Sequence, residues 1–254
     1  MSVSSDQLFE FLCRMGDNTL VLGHRVSEWC GHAPVLEEDI ALANTALDLI
    51  GQTQMWLGLA AEVEGKGRSA DDLAMLRDVW DFRNVLLVEQ PNGDFGQTLM
   101  RQFLFDAWHL AMLKALMQSS EPRIAEIAAK AIKEVQYHVE RSADTVIGLG
   151  DGTSESHRRM QAALDLLYPY VGEMFVPDAL DDLMAEAGIA PDLAALRGGY
   201  DAHVGQVMAE ATLTLPEGGF AHKGGKSGFQ HSEHLGHMLT QMQWMQRAYP
   251  GASW

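Results

Sequence analysis

Cysteine is nearly absent: Cys13 and Cys30 are the only two, and neither belongs to a CxxC or CxxH pattern. No structural zinc site is supported, and two reduced thiols are expected. Basic residues are scarce as well, 18 Lys and Arg against 35 Asp and Glu, for a formal net charge of −17. Such a field repels phosphate, so nucleic acid and anionic membrane are poor partners. No apolar run approaches the ~20 residues of a membrane span, and residues 1–7 carry no basic leader region. A cytoplasmic location is expected. Strand-like alternation is rare, and no GxGxxG or P-loop unit occurs, so a nucleotide-binding fold is unsupported.

What remains is helical periodicity along nearly all of the 254 residues, 47% of them hydrophobic. The pattern predicts an all-α fold, one domain over residues 1–254 with one continuous core. Long helices are expected from Ser5 to Trp29, Glu37 to Glu64, Phe95 to Gln118 and Pro122 to Leu149. The turn at Pro91, Asn92 and Gly93 separates two before it from two after it, which suggests a bundle of two long-helix hairpins. One or two shorter helices are expected between Asp71 and Gln90. Additional C-terminal helices are expected at Ser154–Tyr170, Pro177–Ala187, Pro191–Leu213 and Ser232–Tyr249. Between the last two, Pro216–Gly228 holds five glycines with Lys223 and Lys226 and no hydrophobic period. It reads as a mobile, locally basic arm that reaches a subunit interface together with the final helix.

A carboxylate-bridged di-iron bundle takes one carboxylate from each of two helices and Glu-x-x-His from each of the other two. The i, i+3 spacing aims both ligands at the bundle axis. Here the fourth long helix carries His138 on its inward stripe, but the residue three before it is Val135. Glu134 stands one residue out of phase, about 100° around the helix, and is expected to pair with Lys130 on the exposed face. The second helix shows the same departure: Leu49 and Gln52 occupy the ligand phase, and Asp48 precedes it by one residue. Asp106 lies on the inward stripe of the third helix. Its counterpart in the first falls near Leu20, and Asp17, the nearest acid, is not expected to point inward at that height. Two of six ligand positions keep a donor. The residues therefore predict no catalytic, cofactor-binding or metal site in this chain. Asp106 and His138 should instead hydrogen-bond to each other, directly or through water, with Gln52 or Asp48 joining them.

Longer words in the sequence point further. They include Glu28–Pro34 (EWCGHAP), Leu47–Gln52 (LDLIGQ), Leu86–Gly93 (LLVEQPNG), Phe105–His109 (FDAWH), Ala129–Glu134 (AKAIKE) and Ser232–Gly236 (SEHLG). In this order they resemble the C-subunit family of bacterial phenylacetyl-CoA epoxidases, over essentially the whole chain. The resemblance implies a ferritin-like bundle without metal, a structural partner of a related catalytic A subunit that holds di-iron. That assembly adds one oxygen atom across the aromatic ring of phenylacetyl-CoA and draws electrons from an NADPH-dependent reductase subunit. The family's ligand pattern falls here on Leu49, Gln52, Asp106, Val135 and His138. The rival functions are an independent di-iron oxygenase or ferritin, which needs a carboxylate at position 49 or 135, and a homodimeric binding module.

Other features have plainer readings. Asn44, Asp48 and Gln52 recur at i+4 as a polar seam between helices. His231, His234 and His237 recur at i+3 on an exposed or interface face of the last helix, with Met238, Met242 and Met245 packing nearby. Glu89 and Gln90 cap the turn before Pro91.

Overall fold

Helix starts are written in the local chemistry. Ser4 caps α1 (Ser5–Ser27) and exchanges hydrogen bonds with Gln7 in a capping box. α2 (Leu36–Glu64) opens on three acids, where the helix dipole favours negative charge, and stops at Gly65. Asp94 caps α5 (Phe95–Leu116), and Pro122 occupies the first turn of α6 (Pro122–Gly150). Between the two hairpins lie α3 (Ala70–Met75), a 3₁₀ turn at Val79–Asp81 and the single turn α4 (Leu86–Glu89). The chain ends through α7 (Ser154–Leu167), a 3₁₀ stretch (Tyr168–Phe175), α8 (Ala179–Glu186), α9 (Leu193–Glu210) and α10 (Glu233–Ala248).

This computed structural model describes residues 3–219 and 222–252, so 220 and 221 of the expected arm lie outside the described residues. All the described regular structure is helical, as the periodicity predicts. The long helices match their expected spans to within about two residues.

α1 pairs along its length with α2, and α5 with α6. The first pair is close because α1 carries Gly16 and Gly23 on its inner face; a methyl group at Gly16 would meet the Leu57 side chain at 2.5 Å. α2 and α6 meet across the bundle, and α7 and α9 cover α5. The buried apolar side chains form one cluster that includes Trp56, Phe103 and Phe105, all fully enclosed. Cys13 belongs to it; burial, with Asp17 nearby, pushes its thiol up to about 12, so it is a packing residue and no nucleophile. No helix among the described residues is long and apolar enough to cross a membrane.

Candidate functional site

The inward stripes of α2, α5 and α6 converge on a polar layer at mid-bundle. α2 runs antiparallel to α6, and charged or polar rungs join them. Glu38 pairs with Arg141 near one end, and Glu62 with Arg123 at 3.0 Å near the other. Between these, Asp48 Oδ2 lies 3.0 Å from His138 Nε2, and Gln52 Nε2 donates to Glu134 Oε2 at 2.9 Å. The two central rungs are mirror partners. Asp48 and Gln52 are one turn apart on α2, Glu134 and His138 one turn apart on α6, and each acid meets the other helix's second residue. The matched one-residue phase departure of the two motifs is thus the sequence trace of a reciprocal clasp. Of the expected seam, Asp48 and Gln52 join the helices, whereas Asn44 is exposed.

Two sequence expectations fail here. Glu134 does not pair with Lys130 on the outer face; it is half-buried and accepts from Gln52. Asp106 and His138 make no direct hydrogen bond to each other, although Asp48 joins His138 as expected. His138 presents Nε2 to α2, where Asp48 waits, while Asp106 finds closer donors: Gln102, one turn back on its own helix, at 2.7 Å, and Ser142, one turn along α6, at 3.2 Å. Proximity is retained electrically. Burial pushes the Asp106 carboxyl up to about 6 against the opposing pull of His138. Beside them His109 is fully buried with neither ring nitrogen hydrogen-bonded, and burial, then His138, lowers its value to about 3. The ring is neutral.

The donor chemistry of this layer does not fit a di-iron centre. Leu49 and Val135 are fully buried in the phase where bridging carboxylates would stand, and Leu20 is buried on α1. Asp17 is buried too, but it is consumed elsewhere: Arg77 pairs with it and the Arg83 amide donates to it at 2.8 Å. Among the described residues no group of three or more His, Cys, Asp or Glu side chains is placed to hold a metal ion.

The family model described as phenylacetic acid catabolic protein matches residues 1–254. The chain belongs to this family. It is similar to the C subunit of 1,2-phenylacetyl-CoA epoxidase from Escherichia coli K12, with 48% identity over 249 residues, 98% of this chain and all of that protein.

In this family member the buried Asp106 makes stability depend on pH. A carboxyl whose folded-state value exceeds its unfolded value, here about 6 against 3.8, stabilises the fold most when protonated. That contribution is complete below pH ~4 and is lost as the pH rises through about 6. Asp106→Asn removes the ionisation. Its stability relative to the natural chain should therefore improve between pH 4 and pH 8 by on the order of 2–3 kcal/mol. Urea unfolding at the two pH values measures it; the same difference at both would show that the carboxylate is not penalised.

A second constellation, which the sequence did not disclose, fastens the C-terminal segment of this chain. Glu89, fully buried, accepts from Asn84 Nδ2 at 2.9 Å and from the amide and hydroxyl of Ser232, both at 2.7 Å, and lies 2.6 Å from His231 Nδ1. His231 Nε2 also faces the Phe82 carbonyl at 3.2 Å. Glu173 accepts from the amides of Leu86, Gly224 and Lys226, and Asp181 pairs with the Lys226 ammonium. Gly225 packs so closely that a Cβ would stand 2.5 Å from the Asn84 carbonyl oxygen. The arm read as mobile is thus seated on its own chain from residue 224 to 232. His231 is no exposed helix residue: α10 begins at Glu233, so the i+3 repeat starts before the helix. His237 remains exposed; Met238 and Met242 pack inward, but Met245 is exposed.

The LLVEQPNG word also does more than turn the chain. Arg25 donates to the backbone oxygens of Glu89 and His234, and Asn92 donates to the Arg25 carbonyl and to Glu28. Fully buried Arg101 holds the Gln90 carbonyl and Asn92 Oδ1; burial lowers it to about 9.

Proposed function

We propose that this chain is the non-catalytic, structural subunit of a phenylacetyl-CoA epoxidase, supporting a related di-iron catalytic chain. The observation that carries the reading is the occupancy of the ligand phase by Leu49 and Val135, with both side chains at zero exposure. Aliphatic groups offer iron no lone pair; of the two surviving donors His138 joins the clasp to α2, and Asp106 accepts from Gln102 and Ser142. The full-length similarity to an epoxidase C subunit supports the substrate class and a place in a multi-subunit enzyme. In this reading the bundle keeps the architecture of an oxygenase and spends its midplane on helix register; electrons and oxygen are handled in the partner.

The test is turnover. The isolated chain, supplied with reductase and phenylacetyl-CoA, should yield no epoxide, whereas adding it to the catalytic chain should raise that chain's yield. Product from the isolated chain, or a catalytic chain indifferent to its presence, would refute the proposal.

A further inference from the structure

The word LLVEQPNG ends in Asn92-Gly93. Of the four asparagines only Asn92 precedes glycine; Asn18, Asn44 and Asn84 are followed by Thr19, Thr45 and Val85. An asparagine before glycine is the one most open to cyclisation, because no side chain shields the backbone nitrogen that attacks. The turn itself demands the glycine. Gly93 has a φ of 57°, and a Cβ there would stand 2.1 Å from Gln97 Oε1. A chemical liability is therefore built into the junction between α1 and the turn before α5.

The fold answers it by occupying the whole Asn92 amide group. Nδ2 donates to the Arg25 carbonyl and to Glu28 Oε2, each at 2.8 Å, and Oδ1 accepts from Arg101 Nη2 at 2.6 Å. The orientation is unambiguous, since only the nitrogen can meet those two acceptors and only the oxygen the guanidinium. The backbone is pinned as well: Thr98 Oγ1 donates to the Asn92 carbonyl at 2.8 Å, and Gln97 Nε2 to the Pro91 carbonyl at 3.1 Å. Ring closure draws Cγ onto the Gly93 nitrogen and releases Nδ2, so it breaks the bonds to Arg25, Glu28 and Arg101. Losing the last is costly, because Arg101 is fully buried and has only the Gln90 carbonyl as its other acceptor.

We infer that Asn92 is a latent deamidation site, closed while this clasp holds and modified when it opens. Hydroxide removes the Gly93 amide proton, and that nitrogen attacks Asn92 Cγ. The Cγ–Nδ2 bond breaks, and Nδ2 takes a proton from water and leaves as ammonia. Water then opens the cyclic imide at either carbonyl, leaving an aspartyl or an isoaspartyl residue. An aspartate would set an oxygen against the Arg25 carbonyl and Glu28, and an isoaspartate would lengthen the turn by one backbone atom. Neither product can rebuild the junction. Because Arg25 also donates to the His234 carbonyl, the damage reaches the start of α10.

The test follows the full-length chain at pH 8 by peptide mapping, which separates the two products and registers the gain of one mass unit. In the native chain Asn92 should react at least roughly a hundredfold more slowly than in the same chain unfolded in urea. Glu28→Ala and Arg101→Met should each raise the native rate by roughly tenfold or more. Ile124→Ala, which weakens the core near the start of α6, should not. Far-UV spectra establish that each variant folds; if Arg101→Met does not, Glu28→Ala, at an exposed position, carries the test. A native rate equal to the unfolded one, or folded clasp variants no faster than the natural chain, overturns the inference. So does an Asn92 that stays intact in urea. Equal acceleration by Ile124→Ala would mean that the reaction runs through global unfolding, and that the clasp is not the guard.

Discussion

Replacing Glu89 with alanine is expected to cost about 3–5 kcal/mol and to loosen the C-terminal segment from the bundle. The carboxylate is fully buried, and its two oxygens serve Asn84, His231 and both donors of Ser232. Alanine would leave those groups buried without their partner. For a chain of this size the loss corresponds to a fall in Tm of about 10 °C. The damage should centre on the start of the segment, since α10 itself is also held by Leu235, Met238 and Leu239, by the Gln243 amide and by Arg247, which bonds the Arg77 carbonyl and Asp78. Limited proteolysis should therefore cut early between α9 and α10. An unchanged Tm with unchanged cleavage would mean that Glu89 does not fasten the segment.

Arg77→Ala should be comparably severe, again about 3–5 kcal/mol, because it abandons a buried charge. Asp17 has no exposure; Arg77 embraces it and also donates to the Asp81 carbonyl at 3.1 Å, joining α1 to the loop after α3. The amide of Arg83 stays with Asp17 in the variant, but no cation remains against it. The double variant Asp17→Asn/Arg77→Met should recover more than half of the loss, because it removes both charges together. Chemical denaturation of the two variants decides this. If the double variant is as unstable as the single one, the cost is packing and not an orphaned carboxylate.

These two sites show where the sequence was silent. The long helices could be read because their apolar stripes and caps are local, and the inward placement of Leu49 and Val135 could be read because it depends on phase within one helix. The mirror clasp was half visible: the matched offsets of Asp48 and Glu134 were plain, but which atom each would meet depends on how α2 and α6 are rotated against each other. Asp106 illustrates the same limit. Its stripe position predicts burial correctly, yet its partners are set by Gln102 one turn away and Ser142 across the interface, nearer than His138. Glu89 had no local sign of its role, because His231 and Ser232 come from 142 and 143 residues further along the chain. A glycine-rich, aperiodic arm looks mobile until the distant acceptors Glu173 and Glu89 are placed beneath it. Asp17 carried a partial signal, as the lone acid in the middle of α1.

Iron content measures the central claim most directly. The chain is loaded anaerobically with ferrous iron, alone and in complex with the catalytic chain, desalted and analysed for metal per polypeptide. Iron should be retained only in the complex, in proportion to the catalytic chain, and Leu49→Ala or Val135→Ala should not alter that ratio. Stoichiometric iron held by the isolated chain would contradict the account.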